Sequence, residues 1–137
     1  MHNVRSLAKE FHIEWMIERA FSFHPEYMPG GLWQTPVETN DRLQRVAGQC
    51  HYRPLRITLH PALFGPFAKP GELVETFLHE LAHAMAVHRY GIDARGHGAH
   101  WREMMHQLGQ QPRRCHNIAA CTKASDKARI SLEDMEL

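Results

Sequence analysis

Residues 71–90 read GELVETFLHELAHAMAVHRY, and this segment decides the fold of the chain. Its apolar residues recur at helical spacing and share one side of the helical wheel. They are Val74, Phe77, Leu81 and Met85. Gly91 follows immediately, as is typical of a helix C-terminus. The segment therefore predicts one long helix with an apolar face that packs on the core.

The centre of this helix holds the motif His79-Glu80-x-x-His83. Two histidines four residues apart lie about 40° apart around a helix, so both can bind one metal ion. They fall opposite the apolar face, which gives the helix a core face and a separate metal face. Glu80 is rotated about 100° from His79, near enough to reach a water bound to the metal. The motif predicts a catalytic zinc site, in which three protein ligands leave a fourth position for water.

A third protein ligand has to come from outside the motif, and the chain holds 12 histidines. A short helix with an apolar stripe is predicted at residues 99–108. His97 falls within the arc of that stripe, and its two flanking glycines allow a close approach of the backbone. We favour it over His100, at the edge of the stripe. His88 is expected to be buried or to end its helix, and His106 to face solvent.

Two regions precede this helical part of the chain. Residues 4–23 read as one amphipathic helix, on the spacing of Val4, Leu7, Phe11 and Trp15. Residues 24–41 are rich in proline and glycine and are predicted to form a loop. We expect Trp33, in the middle of this loop, to be a packed anchor.

Two strands are predicted between the loop and the motif helix, at residues 45–53 and 55–60. Pro54 lies between them and predicts a tight turn. Together with the helices, this hairpin predicts an α+β fold with an N-terminal helix and a short third helix.

Composition and charge exclude several classes of protein. Lys and Arg number 16 and Asp and Glu 15 among 137 residues, which argues against a strongly basic nucleic-acid coat protein. No apolar run reaches the roughly 20 residues of a membrane span, and the N-terminus does not read as a signal peptide. Three cysteines suit a reducing compartment. We expect one cytoplasmic domain over residues 1–112, no membrane partner and a loosely ordered tail at residues 113–137.

Three segments together resemble the SprT-like (Spartan-type) zinc metallopeptidase family. They are HELAHAM at residues 79–85, GHGAHWREMMHQLG at residues 96–109 and RVAGQCHYRPLRITLHPAL at residues 45–63. The first two correspond to the family's metal-binding helix and GHG-type turn, and the third to the hairpin that precedes them. The order of these motifs along the chain makes the resemblance specific.

The resemblance implies a zincin-like minimal metallopeptidase core, with the motif helix packed on a small antiparallel sheet. It implies an endopeptidase that hydrolyses peptide bonds with a zinc-activated water. His79, His83 and His97 would bind Zn²⁺, and Glu80 would be the general base. Because Spartan-type members degrade proteins crosslinked to DNA, it also points to DNA-associated protein substrates.

The C-terminal part departs from the family pattern. Many bacterial members end in a zinc ribbon of paired cysteines, whereas this chain has only Cys115, His116 and Cys121 there. The ribbon is therefore incomplete, and these cysteines are expected to be free thiols.

Partners are less well determined by the residues themselves. Four arginines near the hairpin, with aromatic residues between them, are either a solvated face or a surface for single-stranded DNA. They are Arg42, Arg45, Arg53 and Arg56. The alternative function is a non-catalytic, zinc-stabilised domain that binds DNA or protein. The residue that stabilises the oxyanion is not identified either, although Tyr90, His88 and His100 are near in sequence.

Overall fold

The computed structural model describes residues 2–27, 29–43 and 46–112. Its α-helices are α1 (Val4–Glu10), α2 (Glu14–Ser22), α3 (Glu72–Tyr90) and α4 (Ala99–Gln107). Its strands are β1 (His2–Asn3), β2 (Pro36–Thr39), β3 (Gly48–Tyr52) and β4 (Leu55–Leu59). The expected tail, with Cys115 and Cys121, lies outside the described residues, so the division at residue 112 stays a prediction.

The four strands form one sheet in the order β1-β2-β4-β3. The α+β class is confirmed, but the sheet is mixed, so the expectation of a purely antiparallel sheet was wrong. β3 and β4 form the antiparallel hairpin, whereas β2 runs parallel to β4. The reason is topological: the chain reverses twice between β2 and β4, and β2 pairs with the side of β4 that the hairpin leaves open. β2 lies in the segment predicted as a loop. It has only four residues and begins with a proline, so its strand signal in the sequence is weak.

The N-terminal segment forms two helices, so the prediction of one continuous helix was wrong. α1 begins at a capping box, in which Asn3 and Ser6 satisfy each other's backbone N–H groups. The chain turns between α1 and α2, where His12 adopts a positive φ of 59°. This turn changes the helical phase. Ile17 is therefore buried in the core while Trp15, expected on the same face as the α1 residues, is 59% exposed.

The core lies between the sheet and α3. Every residue from 76 to 86 is buried, including those on the side of the helix predicted to carry the metal. Trp33 is the packed anchor that the sequence predicted, with its ring edge-on to Phe21 at a centroid distance of 5.1 Å. No helix in the described part of the chain is both long enough and apolar enough to cross a membrane.

Candidate metal centre

Three histidines from two parts of the chain meet at one point. His79 and His83 project from α3, and His97 lies in the turn between α3 and α4. The Nε2 atom of His97 is 3.2 Å from Nε2 of His79 and 3.1 Å from Nε2 of His83. The structure thus brings together the three side chains that the sequence suggested as ligands, and the group could hold a metal ion.

The separations between these nitrogens fit a tetrahedral ion. Zinc binds imidazole nitrogen at about 2.0–2.1 Å, so two such ligands on a tetrahedral ion lie about 3.3 Å apart. The observed distances of 3.1 and 3.2 Å are close to that value. Three imidazole nitrogens are also a donor set that divalent transition metals accept. The residues present therefore fit a metal ion.

The environment of His83 favours its neutral form. His79 and His83 are almost fully buried, and His97 is partly buried. The pKa of His83 is lowered to about 3, first by burial and then by His97, with the backbone of Arg95 acting in the opposite direction. A neutral imidazole is the form that binds metal, so no proton has to be displaced from His83 at neutral pH.

Trp101 of α4 forms one wall of the centre. Its ring centroid is 4.9 Å from that of His79, 5.5 Å from that of His83 and 4.6 Å from that of His97. The indole therefore limits the movement of all three rings. Trp101 lies within the short helix predicted at residues 99–108, and as a buried residue of α4 it packs against α3 beside the histidines.

Glu80 is fully buried beside the histidines. Neither of its carboxylate oxygens has a hydrogen-bond partner among the described residues. Burial raises the pKa of this carboxyl group to about 8, whereas a divalent cation bound beside it would lower the pKa and favour the ionised form. Burying an acid without a partner costs free energy, so its retention here needs a reason other than stability.

β3 approaches this carboxylate closely, and the position next to it is a glycine. A Cβ atom at Gly48 would lie 3.2 Å from Cγ of Glu80 and 3.0 Å from Cγ2 of Thr76. Such distances are tighter than most real Cβ contacts, so a neighbouring side chain would have to shift by a few tenths of an ångström. The glycine therefore lets the strand pack directly against the helix at the level of the metal centre.

The other candidate histidines lie apart from the group. His100 is exposed and stacks on Tyr90 at a centroid distance of 3.6 Å, and Tyr90 donates a hydrogen bond to Glu103 at 2.8 Å. His88 was expected either to be buried or to end its helix. It lies in the last turn of α3 and is exposed, so the first of these two expectations was wrong. His106 is exposed, as predicted.

Sequence reasoning missed the residues that β3 contributes to this region. Gly48, Cys50 and Tyr52 alternate along the strand, which places them on the face towards α3. The charge of Glu80 helps to raise the pKa of the Cys50 thiol and of the Tyr52 phenol, although burial is the larger cause at both. The alternation in the predicted strand was the signal that could have found them.

The basic residues near the hairpin are only partly described. Arg42 and Arg53 are exposed, Arg53 in the turn between β3 and β4, and Arg56 of β4 is partly exposed. Arg45 lies outside the described residues. Binding of DNA at these arginines stays a prediction.

The family comparison extends beyond the metal-binding motif. A model of the SprT-like family matches residues 18–123. The chain belongs to the SprT-like family. The match runs from α2 past α4 and so includes the hairpin, Glu80 and all three histidines of this SprT-like chain. Comparisons with curated proteins and with solved structures give no match.

Proposed function

We propose that this protein is a zinc-dependent endopeptidase of the SprT-like type. His79, His83 and His97 would hold the zinc ion, and Glu80 would be the general base. The observation that carries the proposal is the buried carboxylate of Glu80, which has no hydrogen-bond partner among the described residues. A zinc ion that only stabilises a binding domain has no use for such a group, which argues against the non-catalytic alternative.

Each group has a defined part in the proposed reaction. When bound, zinc would lower the pKa of a coordinated water and polarise the scissile carbonyl group. Glu80 would accept the proton of that water and later donate it to the departing amine. Both of its oxygens are available for proton transfer, because no described side chain or backbone group donates a hydrogen bond to them. The buried setting excludes the bulk water that would otherwise solvate the carboxylate.

The open edge of the sheet offers a place for the substrate. β4 is flanked by β2 and β3, whereas β3 is paired on one side within the described residues. An extended peptide could add to β3 through main-chain hydrogen bonds, which demand little of its sequence. Of the two hairpin strands that could have served, β3 is the one we propose, because it also contacts α3 beside Glu80.

The nature of the substrate is proposed from the family and from charge. We propose that the substrates include DNA-associated proteins, in keeping with the Spartan-type resemblance. The exposed Arg42 and Arg53 provide positive charge near the strand where the peptide would bind. A reducing, cytoplasmic location suits the buried free thiol of Cys50.

The substitution Glu80→Gln tests the function. It keeps the size of the side chain and removes the base, and Glu75→Gln makes the same change at an exposed position of the same helix. We would measure zinc per chain by elemental analysis and cleavage of an unfolded protein substrate, with and without single-stranded DNA. We expect zinc in all three proteins and a loss of cleavage of about 100-fold or more in Glu80→Gln alone.

Two results would overturn the proposal. Equal cleavage by the wild type and Glu80→Gln would show that Glu80 is not the base. Zinc binding without any cleavage, in the presence and absence of DNA, would favour the non-catalytic domain.

A further inference from the structure

Tyr52, the last residue of β3, reaches from the sheet to the segment that carries His97. Its hydroxyl donates a hydrogen bond to the backbone carbonyl oxygen of Arg95 at 3.5 Å. Arg95 precedes His97 by two residues and ends the short 3-10 helix Ile92–Ala94. The contact therefore joins the edge strand to the turn between α3 and α4, 43 residues further along the chain.

Burial also limits the movement of the phenol ring. Cys50 precedes Tyr52 by two residues and lies on the same face of β3. Cys50 is buried, and the ring of Tyr52 is partly buried against the core. The hydroxyl thus has a defined position relative to the sheet.

The segment that Tyr52 contacts is rich in glycine, and its short 3-10 helix is held by backbone hydrogen bonds from Ala94 to Gly91 and from Arg95 to Ile92. Three of the residues at 91–98 are glycines, and Gly91 adopts a positive φ of 92°. Glycine has more backbone freedom to lose than any other residue, so ordering this turn is costly in entropy. His97 lies between Gly96 and Gly98, where an added Cβ would meet nothing within 4 Å. Contacts from neighbouring elements must therefore hold the histidine in place.

Two elements approach this turn from different sides. Trp101 of α4 lies edge-on to the ring of His97, with 4.6 Å between centroids. Tyr52 approaches from the sheet and acts on the backbone just before the histidine. The indole restricts the movement of the His97 ring, whereas the phenol restricts the movement of the main chain that carries His97.

We propose that Tyr52 is a positioning residue for the metal centre. Its hydroxyl holds the carbonyl of Arg95 and so keeps His97 within ligating distance of His79 and His83. This inference rests on the proposed metal site. It also links β3, the proposed substrate strand, to the third ligand, so that the strand and the metal keep a fixed separation.

The substitution Tyr52→Phe removes the hydroxyl and keeps the ring. Tyr90→Phe is the matched control, because it removes a phenol hydroxyl that bonds to Glu103 of α4 on the exposed side of the same turn. We would measure Zn²⁺ affinity by competition with a chelator. One hydrogen bond contributes enough for a loss of about threefold to tenfold in Tyr52→Phe, and we expect wild-type affinity in Tyr90→Phe.

A double-mutant cycle separates positioning from a general loss of stability. In the His97→Ala background the metal has only the two motif histidines, so Tyr52→Phe should cause no further loss of affinity. The visible spectrum of the Co²⁺-substituted proteins is a second readout of ligand geometry. It should differ between the wild type and Tyr52→Phe and be identical between the wild type and Tyr90→Phe.

The outcomes distinguish this inference from the proposed function. Wild-type affinity and an unchanged Co²⁺ spectrum in Tyr52→Phe would overturn the positioning role and leave the metal site intact. An equal loss of affinity in the wild-type and His97→Ala backgrounds would also overturn it, because Tyr52 would then act independently of His97. Failure of the wild-type protein to bind Zn²⁺ or Co²⁺ would overturn both proposals.

Discussion

The indole nitrogen of Trp101 donates a hydrogen bond to the backbone carbonyl oxygen of His79 at 3.4 Å. The same indole packs against the imidazole of His79, with 4.9 Å between ring centroids. One side chain of α4 therefore contacts both the main chain and the side chain of a proposed ligand on α3. This contact orients the two helices at the level where the metal would be held.

Replacing Trp101 with phenylalanine should destabilise the protein by about 1–3 kcal/mol, because it leaves a cavity and removes the hydrogen bond to His79. It should also weaken metal binding, since all three imidazole rings lose a packing partner. Urea unfolding and chelator competition would measure the two effects. Trp15→Phe is the control: Trp15 is 59% exposed, and its substitution should change stability by no more than about 0.5 kcal/mol. Equal changes in stability and metal affinity in the two variants would contradict a specific role of the Trp101 indole at the metal centre.

Gly48→Ala should overpack the contact between β3 and α3. The added Cβ would lie 3.0 Å from Thr76 and 3.2 Å from Glu80, so one of these side chains has to move. We expect a loss of about 1–3 kcal/mol in the free energy of unfolding, with reduced cleavage because Glu80 is displaced. Gly30→Ala is the control, since a Cβ there meets nothing within 4 Å. A Gly48→Ala protein with wild-type stability and cleavage would show that the strand adjusts freely.

His97→Ala should remove most of the bound metal, whereas His100→Ala should leave it. The reason is geometric: His97 lies within 3.2 Å of both motif histidines, but His100 stacks on Tyr90. Zinc per chain after dialysis against a weak chelator would measure the difference. Where metal binds, it should also raise the unfolding temperature, and His97→Ala should lose this increase. The reverse order of the two variants would exclude His97 as the third ligand.

His60 should make the protein sensitive to acid. Its Nδ1 accepts a hydrogen bond from the backbone N–H of Ala62, and burial lowers the pKa of its imidazole, with Asp41 acting in the opposite direction. A base whose pKa is lowered in the folded state binds more protons when unfolded, so the free energy of unfolding falls as the pH drops below about 6.5. Asparagine at this position retains an acceptor for Ala62 and does not titrate.

Urea unfolding of metal-free protein at several pH values between 5 and 7 would test this. The wild type should lose more stability than His60→Asn as the pH falls. Other titrating groups contribute to both proteins and cancel in the difference. Identical pH dependence in the two proteins would contradict the role of His60.

The motif helix is an element that the local sequence pattern predicts well. The sequence predicts α3 almost to the residue, because an amphipathic repeat followed by Gly91 is a local signal. It predicts the hairpin for the same reason, since alternation at residues 55–59 and Pro54 act over short distances. β2 escaped prediction because its four residues become a strand only by pairing with β4. The division between α1 and α2 also escaped, because the turn at His12 interrupts a spacing that still looks continuous in one dimension.

The sequence by itself identified the family of this protein and the residues of its candidate metal site. Two histidines four residues apart with a glutamate between them can form a metal site on any helix, and the flanking motifs indicate the SprT-like family. The tertiary structure decided which histidine completes the group, since His97 and His100 are both close to α3 along the chain and packing brings only His97 to its partners. It also decided that Glu80 is buried and that Tyr52 contacts the turn that carries His97. These features depend on the distance between a strand and a helix, which no local pattern of residues specifies.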